Sequence, residues 1–70
     1  MRNHCYITPK DGDIYIEAPY DEEFLQVFKA AIPSSDREWE GDLKRWWVSG
    51  RYRSQAERIC RSLFENVIEC

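Results

Sequence analysis

No stretch of this sequence approaches the roughly 18 consecutive apolar residues of a membrane-spanning helix, so no such span and no membrane partner are expected. Histidine is almost absent: His4 stands alone, and a Ser-His-Asp relay has little to draw on. Glycine is sparse, with Gly12, Gly41 and Gly50 each isolated, which excludes the clustered glycines of phosphate-cradling loops. The cysteines, Cys5, Cys60 and Cys70, are widely spaced and form no C-x-x-C pair. A tetrahedral zinc site draws its four ligands from closely spaced pairs, so no metal or other cofactor is expected. The odd cysteine count and the missing apolar segment in Met1-Arg2-Asn3-His4-Cys5 argue against export and against a disulfide. The expected location is the cytoplasm. Cys60 then reads as a small core residue and Cys70 as a free terminal thiol. Positive charge is not in excess either. The net charge is −3, which disfavours a generic polyanion binder.

What is present is aromatic. Three Trp, four Tyr and three Phe in 70 residues offer enough apolar surface to order the chain. The length allows one domain, 1–70, with its core over about 5–66 and the last few residues frayed. Tyr6-Ile7-Thr8 and Asp13-Ile14-Tyr15-Ile16-Glu17 have strand composition and flank Pro9-Lys10-Asp11-Gly12, a hairpin signal. In the second strand Ile14 and Ile16 face one way, and Asp13, Tyr15 and Glu17 the other. Asp21 reads as a helix N-cap, followed by Glu22 and Glu23 where the helix dipole favours carboxylates. Phe24, Phe28, Ala31 and Ile32 recur at helical spacing, Tyr20 is placed to staple onto Leu25, and Pro33 stops the helix near Ala31.

Ser34-Ser35-Asp36 forms a turn. Arg37–Glu40 and Leu43–Val48 then form a second hairpin around Gly41-Asp42. Alternation places Arg37 and Trp39 on one face and sends Trp46 and Trp47 to opposite faces. Tyr52, Ala56, Ile59, Cys60, Leu63, Phe64, Val67 and Ile68 follow helical spacing, with Ser54 and Glu57 as a capping box or Ser49 starting the helix one turn earlier. The expected fold is α+β in the order β-β-α-β-β-α: an antiparallel four-stranded sheet with two helices on one face.

Chemistry is thinly signalled. Asp21, Glu22 and Glu23 are absorbed by helix capping, and Glu38, Glu40 and Asp42 form an acidic hairpin edge. Neither an enzyme nor a small-molecule substrate is expected. Charge distribution says more. Between positions 37 and 61 lie Arg37, Lys44, Arg45, Arg51, Arg53, Arg58 and Arg61 against Glu38, Glu40, Asp42 and Glu57. These cations interleave with Trp39, Trp46, Trp47 and Tyr52. Arginine grips phosphate and indole stacks on bases. The same residues also suit a packed core and a solvated helix face.

The pattern Tyr20-Asp21 … Phe28-Lys29 … Arg37-x-Trp39 … Lys44-x-Trp46 resembles the HARP-type domain, over the stretch from Ile14 to Leu63. That domain precedes the motor of annealing helicases, and a similar module stands in repair helicases of phages and archaea. The resemblance implies a compact β-β-α-β-β-α unit that binds branched or partly single-stranded DNA. It implies that Lys29, Arg37 and Lys44 face DNA, while Trp39 and Trp46 hold the hairpin on the helices. The expectation is therefore a nucleic-acid-binding accessory module for single-stranded or forked DNA, of phage or bacterial type. Its contacts would come from Lys29, Arg37, Lys44, Arg45 and Arg51 and from the arginines of the last helix, with Trp47 stacking on a base. The competing expectation is a protein-binding adaptor or inhibitor, or a homodimer, using exposed Trp, Tyr and Arg.

Overall fold

The computed structural model describes residues 4–69. The readings of the Met1–Asn3 leader and of Cys70 lie outside them. Two hairpins form as their local chemistry requires. β1 (His4–Lys10) and β2 (Asp13–Glu17) join through a two-residue turn. Asp11 and Gly12 there both take positive φ, 53° and 87°, the conformation that matches strand twist in a tight hairpin. His4, just outside the expected core, opens β1 opposite Asn66. Pro9 lies within β1, beyond Ile7, the last residue of that strand paired on its other side among the described residues. A residue without an N–H is tolerated there. β3 (Arg37–Glu40) and β4 (Arg45–Val48) pair Arg37 with Val48 and Trp39 with Trp46.

Helix α1 (Glu22–Ala31) begins where the carboxylate of Asp21 accepts a 2.9 Å hydrogen bond from the Phe24 N–H. It stops at Ile32, whose backbone is extended ahead of Pro33. Ser34–Asp36 is a 3₁₀ turn. A second 3₁₀ turn, Gly50–Tyr52, has the Ser49 hydroxyl accepting from the Arg51 N–H, and it leads into α2 (Arg53–Leu63). The expected Ser54/Glu57 capping box does not form, because the helix already runs from Arg53. Glu57 instead accepts from Arg53, one turn away at 3.0 Å. Tyr20 does not act as a staple: it is 83% exposed.

The sheet differs from expectation in one strand. Helix α2 ends at Leu63, and Asn66–Glu69 form β5. Phe64 turns extended and stays buried. β5 then runs parallel to β1, with Cys5 opposite Val67. The result is a five-stranded mixed sheet in the order β3-β4-β2-β1-β5, not four antiparallel strands. Val67 and Ile68 satisfy helical spacing, but they are β-branched, and the open edge of β1 offers them a ladder.

Alternation then divides the sheet into two faces. Cys5, Ile7, Ile14, Ile16 and Val48 are fully buried and meet Phe24, Phe28 and Ile32 of the α1 region and Ala56, Ile59, Cys60 and Phe64 of the α2 region. Both helices therefore cover this face, as expected. The other face carries Tyr6, Thr8, Tyr15, Trp47 and Ile68, and neither helix packs on it. Among the described residues no helix is long and apolar enough to cross a membrane.

Candidate nucleic-acid interface

The helical face is not closed at the β3–β4 end. There a groove of about 520 Å³ opens between α1, the Ala18–Asp21 connection and the second hairpin. Its floor and walls are apolar: Phe24 and Leu25 from α1, Ala18, Pro19 and Tyr20 from the connection, Trp39 and Trp46 from the hairpin. Its cations are Lys29, from the last turn of α1, and Lys44, from the hairpin turn. Asp21 also lines it, but its carboxylate is engaged in capping α1.

Trp46 anchors this site. Its ring meets Phe28 edge-on at 5.0 Å and Trp39 at 5.3 Å. Phe28 in turn stacks on Phe24 at 5.1 Å. The ring of Trp46 is thus fixed by the core on one side and presented to the groove on the other. The ammonium of Lys29 lies 5.8 Å from its centroid and the guanidinium of Arg37 5.9 Å. Both distances are within cation–π range. Arg37 also donates from Nε to the Ile32 carbonyl at 2.9 Å, satisfying an acceptor at the end of α1. Arg37 therefore braces the site from behind, while Lys29 and Lys44 reach into it.

Trp39 is 50% exposed. It sits on an edge strand and has a sheet neighbour on one side only. Lys44 takes φ 54°, a left-handed conformation that favours glycine or asparagine. A lysine held there, on the rim of a concave site, is the kind of local strain that accompanies function. Among the described residues neither Lys29 nor Lys44 is in an ion pair.

The cations singled out from the sequence thus fall into four places. Lys29 and Lys44 line the groove, and Arg37 stands behind it against Trp46. Arg45 and Trp47 lie on the opposite face of the sheet. There Arg45 binds Glu40 at 2.7 Å and covers the Tyr15 ring at 3.7 Å. The Trp47 indole donates to Asp13 at 3.2 Å. Arg51 is exposed in the 3₁₀ turn at the far end of β4 from Lys44. On α2, Arg53 pairs with Glu57 and Arg61 with Glu69, while Arg51 and Arg58 make no ion pair among the described residues. The exposed indole is Trp39, which the sequence reading kept as structural.

The interior offers little reactive chemistry. Cys5 and Cys60 are free thiols buried against each other. The Cys60 thiol is pushed far up by its hydrogen bond with Cys5 and by burial, which makes it a poor nucleophile. Among the described residues no group of three His, Cys, Asp or Glu side chains is placed to hold a metal ion. No family model matches the chain, and neither does any curated protein or solved structure.

Proposed function

We propose that this chain is a non-enzymatic module that binds an unpaired segment of nucleic acid in the groove between α1 and the β3–β4 hairpin. A base enters against Trp39 and Trp46, and the flanking phosphates meet Lys29 and Lys44. One observation carries the reading: two indoles and two lysines that make no ion pair among the described residues, drawn from three separate segments, line one concavity. Stacking on an aromatic face is sequence-tolerant and phosphate contact is sequence-blind, so the module reads strand form rather than sequence. The resemblance to the HARP-type domain points the same way, towards forked or partly single-stranded DNA and an accessory role beside a motor. Duplex DNA, whose bases are stacked inward, is the poorer ligand.

Tryptophan fluorescence tests this. Titration with single-stranded and forked DNA is expected to quench emission, and duplex DNA to do so weakly. Trp39→Ala removes one stacking surface, a loss of about 1–3 kcal/mol. Equal affinity for duplex and single strand, or no loss with Trp39→Ala, counts against the groove.

A second reading has its own support. Tyr20, 83% exposed, and Leu25 give the groove an apolar wall that suits a hydrophobic peptide or a second copy of the chain. On that reading the groove binds an apolar partner with little dependence on salt, and DNA leaves the fluorescence unchanged.

A further inference from the structure

The sheet face that carries no helix has a character opposite to that of the groove. Asp13, Glu17, Glu38 and Glu40 project from it against Lys10 and Arg45. Its centre is aromatic: Tyr15 lies directly across from Trp47, and Tyr6 and Ile68 continue the strip, 42% and 41% exposed. Some of these charges are internally matched. Asp13 accepts from the Trp47 indole at 3.2 Å and from the Gly50 N–H at 2.8 Å. Glu40 accepts from Arg45. Glu38 and Glu17 are exposed and have no ion pair among the described residues.

One arrangement on this face holds a cation of the chain's own. Arg45 lays its guanidinium 3.7 Å from the Tyr15 ring centroid while its Nε binds Glu40, the residue opposite it on β3, at 2.7 Å. An aromatic ring beneath and a carboxylate beside are the two elements that hold a guanidinium, which stacks and forks at once. The neighbouring rung also brings a ring and a carboxylate together, in a different layout and without a cation: here the ring stands on β4 itself. Trp47 supplies the ring, and Glu38, directly opposite on β3, supplies the carboxylate.

We propose that this rung is an arginine-binding site, and that the open face docks a segment of a protein partner bearing arginine. The partner's guanidinium lies over Trp47 and engages Glu38, beside the internal Arg45–Tyr15–Glu40 set. Charge decides among the possible occupants. A nucleic acid backbone would meet four carboxylates. A second copy docked face to face would set this acidic surface against itself, a like-charge arrangement that opposes association. An arginine-bearing chain is complementary to both the rings and the acids. The site is independent of the groove, which lies on the other face.

The test uses the full chain and a short blocked peptide in which arginine alternates with threonine, followed by nuclear magnetic resonance. The three indole N–H signals are assigned by single Trp→Phe variants. The expected result is a saturable shift of the Trp47 indole signal, with Trp39 and Trp46 unmoved. Glu38→Gln, an exposed and conservative change, is expected to weaken the peptide about threefold. The matching peptide with citrulline for arginine is expected to bind far more weakly, and the lysine peptide to fall between. Four results overturn the proposal: no shift at Trp47, an equal shift with citrulline, no effect of Glu38→Gln, or a Trp47 signal that moves only with protein concentration. The last would assign the face to a second copy.

Discussion

Gly50 marks the tightest approach among the three glycines. Its backbone crosses the β1–β2 turn so closely that an added Cβ would stand 2.2 Å from the Gly12 carbonyl oxygen and 3.2 Å from its carbon. The atoms in the way are backbone, so no side-chain rotation relieves the contact. Opening it to an ordinary 3.4 Å takes roughly 1.2 Å of movement. That movement separates the Gly50 N–H from the Asp13 carboxylate, which it reaches at 2.8 Å. Gly50→Ala therefore carries overpacking of about 1–3 kcal/mol and the weakening of a charged hydrogen bond of about 1.5–3 kcal/mol. Because the two costs share one displacement, the net is about 2–4 kcal/mol. A domain of this length is held by about 4–10 kcal/mol in total, so the change removes a large share. Thermal unfolding followed by circular dichroism is expected to show Tm lower by at least about 8 °C. The Trp47 indole N–H signal is expected to move as well, since Asp13 accepts from both groups. A Tm within about 2 °C of the parent would refute the close approach and the Asp13 junction built on it.

Three further outcomes follow from the geometry. Asp21→Ala removes the acceptor for the Phe24 N–H and is expected to cost about 1 kcal/mol, read by urea unfolding with an unchanged slope. Lys44→Gly relaxes the 54° φ and is expected to raise stability by about 0.5–1 kcal/mol while weakening DNA binding; a variant both less stable and equally good at binding contradicts the role given to Lys44. Cys5 and Cys60 are fully buried, so in a Cys70→Ser background a thiol reagent is expected to label the chain only as fast as it opens. Immediate labelling under native conditions would place at least one of these thiols at the surface.

The parts of the fold legible in the sequence are those with local causes. Asp11-Gly12 announces its turn because both residues tolerate positive φ, and Asp21 announces α1 through its capping carboxylate. Alternation correctly assigns Ile14 and Ile16 to the core and parts Trp46 from Trp47. β5 was hidden because Val67 and Ile68 extend the α2 spacing as well as they suit a strand. The choice falls to the free edge of β1, some sixty residues earlier in the chain. Exposure of Trp39 was hidden for a related reason: pattern alone does not tell an edge strand from a central one. The groove was half visible. Lys44 stands two residues before Trp46 on one hairpin arm, and Arg37 and Trp39 share a face by alternation, but Lys29 joins Trp46 only through the packing of α1 against β4, fixed by Phe28. Arg45 and Trp47 matched the composition of a binding surface and are turned to the acidic face, where Glu40 and Asp13 engage them.

The central claim is that Lys29 and Lys44 hold phosphates beside the paired indoles. Salt dependence measures it directly. Each phosphate contact on a single strand contributes a slope of about −0.7 in log K against log salt, so two contacts give about −1.4 and roughly sevenfold weaker binding between about 50 and 200 mM salt. Titrating single-stranded DNA against the chain and against the Lys29→Ala, Lys44→Ala double variant is expected to show that slope in the first and a slope near zero, with lower affinity, in the second. The same slope and affinity in both would contradict the account and place any nucleic acid elsewhere on the molecule.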